Sequence, residues 1–161
     1  MKIIFLDIDG VLNSVMYDAR RTDESKDTRI DMSRVELLSE IVRQTGAKIV
    51  FSSTWREDWE ISTELCGEDG RYVNSCLAKY GLSIIDKTPR IGYTDERRVE
   101  ILTWLHRHKD EVESFVILDD ISYGWGELCN RAVITNPYGY GLEQRHCEMA
   151  IDILNTRCSF D

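Results

Sequence analysis

Apolar residues in this chain fall into short solid runs and helically spaced stripes, and the two alternate. Ile3 to Leu6, Ala47 to Phe51, Leu82 to Ile85, Phe115 to Leu118 and Ala132 to Thr135 are the runs. Their brevity and β-branching suit strands buried on both faces of a parallel sheet. Between them lie the stripes. Val35, Leu38, Ile41 and Val42 follow a Ser33-x-x-Glu36 capping box and stop at Gly46, predicting a helix with a C′ glycine. Further helices are predicted from about Trp55 to Leu65, ahead of a turn at Gly67 to Gly70, and from Tyr72 to Lys79, stopped by Gly81. Thr88-Pro89 breaks the third strand, and Gly92 falls in the loop beyond it. A helix capped by Thr94 or Asp95 carries Ile101, Leu102 and Leu105, and a last one spans Glu143 to Asn155 with Met149, Ile153 and Leu154 inward. Strands alternating with helices predict βαβ units, hence a five-stranded parallel sheet flanked by helices. Ser14 to Asp31 is polar without a period and reads as a loop or small flap over the carboxyl ends of the strands.

Composition narrows the class. At 161 residues the chain reads as one domain, 1–161, able to build a core without staples. No apolar run approaches the roughly 20 residues of a membrane span, and nothing resembles a secretory leader, so a cytoplasmic location is expected. Cys66, Cys76, Cys129, Cys147 and Cys158 are odd in number and scattered, which argues against a disulfide framework or a zinc site. A net charge of −9 disfavours broad nucleic-acid binding, which needs Lys and Arg to neutralise phosphates. It leaves room for a local pocket that holds one phosphate. His106, His108 and His146 show no ligand spacing and read as surface residues.

The strand ends carry the chemistry. The first run stops in Asp7-Ile8-Asp9-Gly10, the second in Ser52, the fourth in Asp119-Asp120. In open α/β sheets ligands bind outside the carboxyl ends of the strands, so these groups gather at one edge. Four crowded carboxylates raise one another's pKa values. A Mg²⁺ ion relieves that, being a hard cation that prefers carboxylate oxygens, and it can also neutralise a substrate phosphate. Together with a basic residue, Arg97 or Arg98, in the first turn of the helix before the fourth strand, these are the parts of a phosphoryl-transfer site. One Asp attacks phosphorus, a second moves protons, and a hydroxyl and a cation hold the phosphoryl oxygens.

Asp7-Ile8-Asp9-Gly10-Val11, Ser52, the basic residue at Arg97 or Arg98 and Asp119-Asp120 resemble the four ordered motifs of the haloacid dehalogenase (HAD) superfamily. More narrowly, LDIDGVLN, FSSTWR, ERRVEILTWL, VILDD and Gly141-Leu142 resemble the HAD domain of Swiss Army Knife RNA repair proteins. The resemblance implies a Rossmann-like HAD fold with at most a minimal cap. It implies Asp7 as nucleophile and metal ligand, and Asp9 as general acid/base that also touches the metal through its backbone carbonyl. Ser52 would bond the phosphoryl group, and Asp120, with Asp119 beside it, would bind Mg²⁺. For the cation, Arg98 shares a helical face with Ile101, Leu102 and Leu105, whereas the spacing from Arg97 to Ile101 and Trp104 matches the narrower family, which favours Arg97. Arg keeps the charge and adds a fork for phosphate oxygens. Ser53, Arg56, Arg98 and Asn13 are candidates for substrate contact, with helix capping the competing role of Ser53 and loop support that of Asn13. Trp55 follows the second strand closely enough to line the pocket, with packing its favoured role.

The expected activity is a Mg²⁺-dependent phosphatase acting through an aspartyl phosphate, on nucleic-acid 3′ or 5′ phosphate ends or on a small phosphorylated metabolite. An EF-hand is excluded, because Val11 stands where a ligand is needed and no twelfth-position Glu follows. A receiver-type signalling domain would carry adjacent acids on its first strand, and here the adjacent pair comes fourth. A silent HAD-fold binding module would have lost catalytic side chains, and all are present.

Overall fold

The computed structural model describes residues 1–22, 28–91 and 96–158. Five strands, β1 (Lys2–Leu6), β2 (Lys48–Phe51), β3 (Ile84–Lys87), β4 (Ser114–Asp119) and β5 (Ala132–Ile134), pair in parallel in the order β3-β2-β1-β4-β5. This is a Rossmann-like α/β sheet with the first strand at its centre. The helices are α1 (Val15–Arg20), α2 (Met32–Thr45), α3 (Glu68–Ala78), α4 (Arg97–Arg107) and α5 (Gln144–Leu154). The chain leaves β1 towards β2 and β3 on one side and then crosses back to β4, so the switch point of the sheet lies beside β1.

Side-chain alternation along each strand divides the interior in two. Ile4, Leu6, Ile49, Phe51, Val116 and Leu118 face the larger core, shared with α2, α3 and α5. Ile3, Phe5, Val50, Phe115 and Ile117 face the other, where α4 brings Ile101, Trp104 and Leu105. There Phe5 meets Trp104 edge-on, ring centroids 5.4 Å apart. Among the described residues no helix is long and apolar enough to cross a membrane. All five cysteines are free, and three are buried.

Several expected boundaries move, each because a distant group decides them. Helix α2 starts one residue before Ser33, and its cap is Asp31, whose carboxylate accepts from the Ser33 N–H at 2.9 Å. The predicted helix from Trp55 to Leu65 is instead two 3-10 segments, Thr54–Asp58 and Thr63–Leu65. Asp58 ends the first of these and accepts the Asp69 N–H at 2.8 Å. That bond starts α3 at Glu68, inside the predicted turn. Strand β3 runs two residues later than the apolar run, with a bulge in its pairing to β2. Within Ser14 to Asp31 lies helix α1, capped by Ser14. Gly92, Thr94 and Asp95 lie outside the described residues.

The last helix buries Leu154 and packs Ile153 against the larger core as expected, but Met149 faces outward. Met149 is 49% exposed, while His146, Cys147, Ala150 and Leu154 are buried. His146 is therefore no surface residue: its Nδ1 accepts the Glu143 N–H at 3.0 Å and completes a capping box. Burial, then the neighbouring Arg145, lowers its pKa. His108 likewise stacks on Trp104 at 3.9 Å. Leu154→Ala is expected to cost about 2–5 kcal/mol of stability in denaturant melts, and Met149→Ala no more than about 0.5 kcal/mol.

Candidate active site

Register builds the site before any side chain is considered. Leu6 pairs with Phe51 on one flank and Leu118 on the other, and Phe51 pairs with Lys87. The residues that follow, Thr88, Ser52, Asp7 and Asp119, therefore form one row across four strands, with neighbours about 4.8 Å apart. The ladder continues into that row. Asp7, Ser52 and Thr88 donate their N–H groups to Leu118, Leu6 and Phe51 at 2.9–3.0 Å. The backbone is thus satisfied and the side chains are left for chemistry.

Gly10 closes the approach. Its φ is +73°, and a Cβ there would stand 2.5 Å from an Asp120 carboxylate oxygen. The Gly10 carbonyl accepts from the buried Thr135 hydroxyl at 2.7 Å. Gly141, also at positive φ, passes so close to this loop that a Cβ would lie 2.6 Å from the Val11 carbonyl, and Leu142 N–H bonds that carbonyl at 2.9 Å. The Gly141-Leu142 pair thereby clamps the loop after β1.

Asp7, Asp119 and Asp120 each bring a carboxylate oxygen within 4.8 Å of the others. Burial raises Asp7 to about 7 against the pull of Arg97, with Asp119 adding to the rise and a bond to Ser53 opposing it. Asp119 is raised by burial and opposed by Arg97, and Asp120 by burial and then by Asp119. The buried Arg97 guanidinium contacts both Asp7 and Asp119, the latter at 2.6 Å. Burial disfavours its charge, but the two carboxylates outweigh that and hold it protonated. Once ionised, three carboxylates against one guanidinium would leave two negative charges, and the donors are all hard oxygens. This set fits a divalent cation such as Mg²⁺.

Two buried polar atoms here have no hydrogen-bond partner among the described residues, Ser52 Oγ and Arg97 Nε. Such orphans are unfavourable in a finished core, and both suit the oxygens of an incoming anion.

Other candidates go elsewhere. Arg98 turns away and bonds Glu127 at 2.6 Å. Arg56 is buried against Glu100 at 2.6 Å and donates to the Ser53 carbonyl at 2.9 Å, so it braces the loop after β2. Ser53 both touches Asp7 and accepts the Trp55 N–H, capping the 3-10 turn. Asn13 spends its amide on the loop, accepting from Gly10 N–H at 2.9 Å and donating to Asp9 at 2.8 Å. The carboxylate of Asp9 is exposed and stands apart from the metal-type cluster, bonded to Asn13 and to the indole of Trp55. Glu100 and Thr135 were not singled out for the site by sequence reasoning, whereas Trp55 was weighed as pocket lining and read as packing. Only Trp55 had a signal, its place three residues after Ser52.

A family model described as the HAD domain in Swiss Army Knife RNA repair proteins matches residues 3–147. No curated protein and no solved structure matches.

Glu100→Ala would strand a buried guanidinium and is expected to destabilise by about 3–5 kcal/mol in denaturant melts. Gly10→Ala is expected to lower the melting temperature, because φ +73° strains any side chain there and its Cβ would crowd Asp120.

Proposed function

The chain belongs to the family of HAD domains found in Swiss Army Knife RNA repair proteins, and on that premise we propose that it is a Mg²⁺-dependent phosphatase working through an aspartyl phosphate on Asp7. The observation that carries this reading is the row of Ser52, Asp7 and Asp119 under Arg97, with two orphaned polar atoms beside a buried nucleophile. Asp7 attacks phosphorus while Ser52 Oγ and the Arg97 guanidinium hold phosphoryl oxygens as charge develops on them. Asp9 protonates the leaving oxygen and later takes a proton from the water that cleaves the acyl phosphate. Asp7, Asp119 and Asp120 would hold Mg²⁺, which would supply charge neutralisation for the carboxylates and the phosphate. The resemblance would add the Asp9 backbone carbonyl to its ligands.

The substrate we propose is the phosphate at a nucleic-acid end, in line with the repair proteins in which this domain occurs. The net charge of −9 limits contact to the terminal nucleotides, since longer tracts need cationic neutralisation. That same acidity favours a second reading, a small phosphorylated metabolite. The proposed setting is cytoplasmic, with the whole of 1–161 acting as one catalytic domain.

Phosphate release would be compared for 3′- and 5′-phosphorylated oligonucleotides, ribose 5-phosphate and other metabolites, and 4-nitrophenyl phosphate, with Mg²⁺ and with chelator. Activity is expected to vanish with chelator and in Asp7→Asn. Ser52→Ala is expected to lower kcat about 100-fold, the order seen when one transition-state donor is lost. Full turnover in Asp7→Asn, or without metal, would refute the mechanism, and release from metabolites alone would refute the nucleic-acid reading.

A further inference from the structure

Asp9 is exposed, and an exposed Asp carboxyl ordinarily samples several rotamers. Here both oxygens are held, by donors from two different loops. Asn13 Nδ2 donates to Oδ1 at 2.8 Å and Trp55 Nε1 to Oδ2 at 2.9 Å. Trp55 is itself fixed. Its backbone N–H is tied to Ser53 Oγ at 3.4 Å, and its ring packs against the larger core. The Arg29 guanidinium lies 4.6 Å from the ring centroid while bonding Asp69 at 2.6 Å. Trp55 is only half-buried, so solvent could serve its N–H equally well, and burial alone does not explain the bond.

We infer that Trp55 is a positioning residue for Asp9, its indole N–H setting the direction in which that carboxyl meets the leaving oxygen. The inference rests on the phosphatase reading. An indole N–H donates once, along a fixed direction, and accepts nothing. Each Asp9 oxygen keeps a lone pair beyond the bond it accepts, enough to carry the proton. In the first step an Asp7 oxygen bonds phosphorus and the ester P–O bond breaks. Its electron pair stays on the alcohol oxygen, which takes the proton from the Asp9 carboxyl. In the second, water bonds phosphorus, the Asp7 O–P bond breaks and Asp9 receives the water proton. A misdirected Asp9 hurts most where the leaving oxygen is a strong base.

Trp55→Phe keeps an aromatic face for Arg29 while removing the N–H together with part of the ring system. kcat/KM would be measured for 4-nitrophenyl phosphate, whose leaving group needs little protonation, and for two alkyl esters, a 3′-phosphorylated oligonucleotide and ribose 5-phosphate. General acids contribute about 10²–10⁴-fold. Weakening the aim of one is therefore expected to cost roughly tenfold on the alkyl esters and under about twofold on the aryl ester, with KM unchanged. Equal loss on aryl and alkyl esters, or no loss, overturns the positioning role while leaving the phosphatase reading intact. Wild-type protein that releases phosphate from no ester overturns both. Independently of turnover, the Trp55 indole proton resonance, assigned by its absence in Trp55→Phe, is expected to move upfield in Asp9→Ala. An unmoved resonance overturns the hydrogen bond itself.

Discussion

Burying carboxylates side by side at a sheet edge is unfavourable twice over, through lost hydration and through mutual repulsion. The guanidinium of Arg97, between Asp7 and Asp119, is what lets this chain do it. Everything around that contact keeps it in place. Parallel register sets the spacing of the acids, and Phe5, Trp104 and Ile101 seat the helix that delivers Arg97. Arg97 offsets only part of the charge those acids carry once ionised, which suits the cluster to a cation.

The architecture was legible because its signals are local. Five short apolar runs and the stripes between them predict a parallel sheet, and the polar residues that end the runs had to gather at one edge whatever the helix boundaries were. What escaped was decided by contacts far along the chain. Asp58 starts α3 from outside it, and Glu100 draws Arg56 inward. A wheel drawn through Ile101, Leu102 and Leu105 points at Arg98, yet Trp104, not Leu102, is the residue buried beside Leu105, and this turns Arg97 to the acids. The Met149 expectation failed because α5 presents Cys147, Ala150 and Leu154 to α2 and the sheet, which leaves Met149 on the opposite side.

At the site, the residue types were readable and their partners were not. Asp7, Ser52 and Asp119 announce themselves by ending strands. Nothing in the sequence near Thr135 says that its hydroxyl holds the Gly10 carbonyl, and nothing near Trp55 says that its nitrogen faces Asp9. Such pairings span more than a hundred residues or cross from one loop to another, and only the folded chain states them.

The Arg56–Glu100 pair ties the loop that follows β2 to the helix that carries Arg97. Buried ion pairs of this kind can be exchanged for apolar residues of similar volume at little loss, whereas losing one partner alone is severe. The pair is consequently a ratchet for sequence drift. No single substitution leads out of it without passing through an uncompensated buried charge, so descendants of this chain should either keep both residues or replace both together.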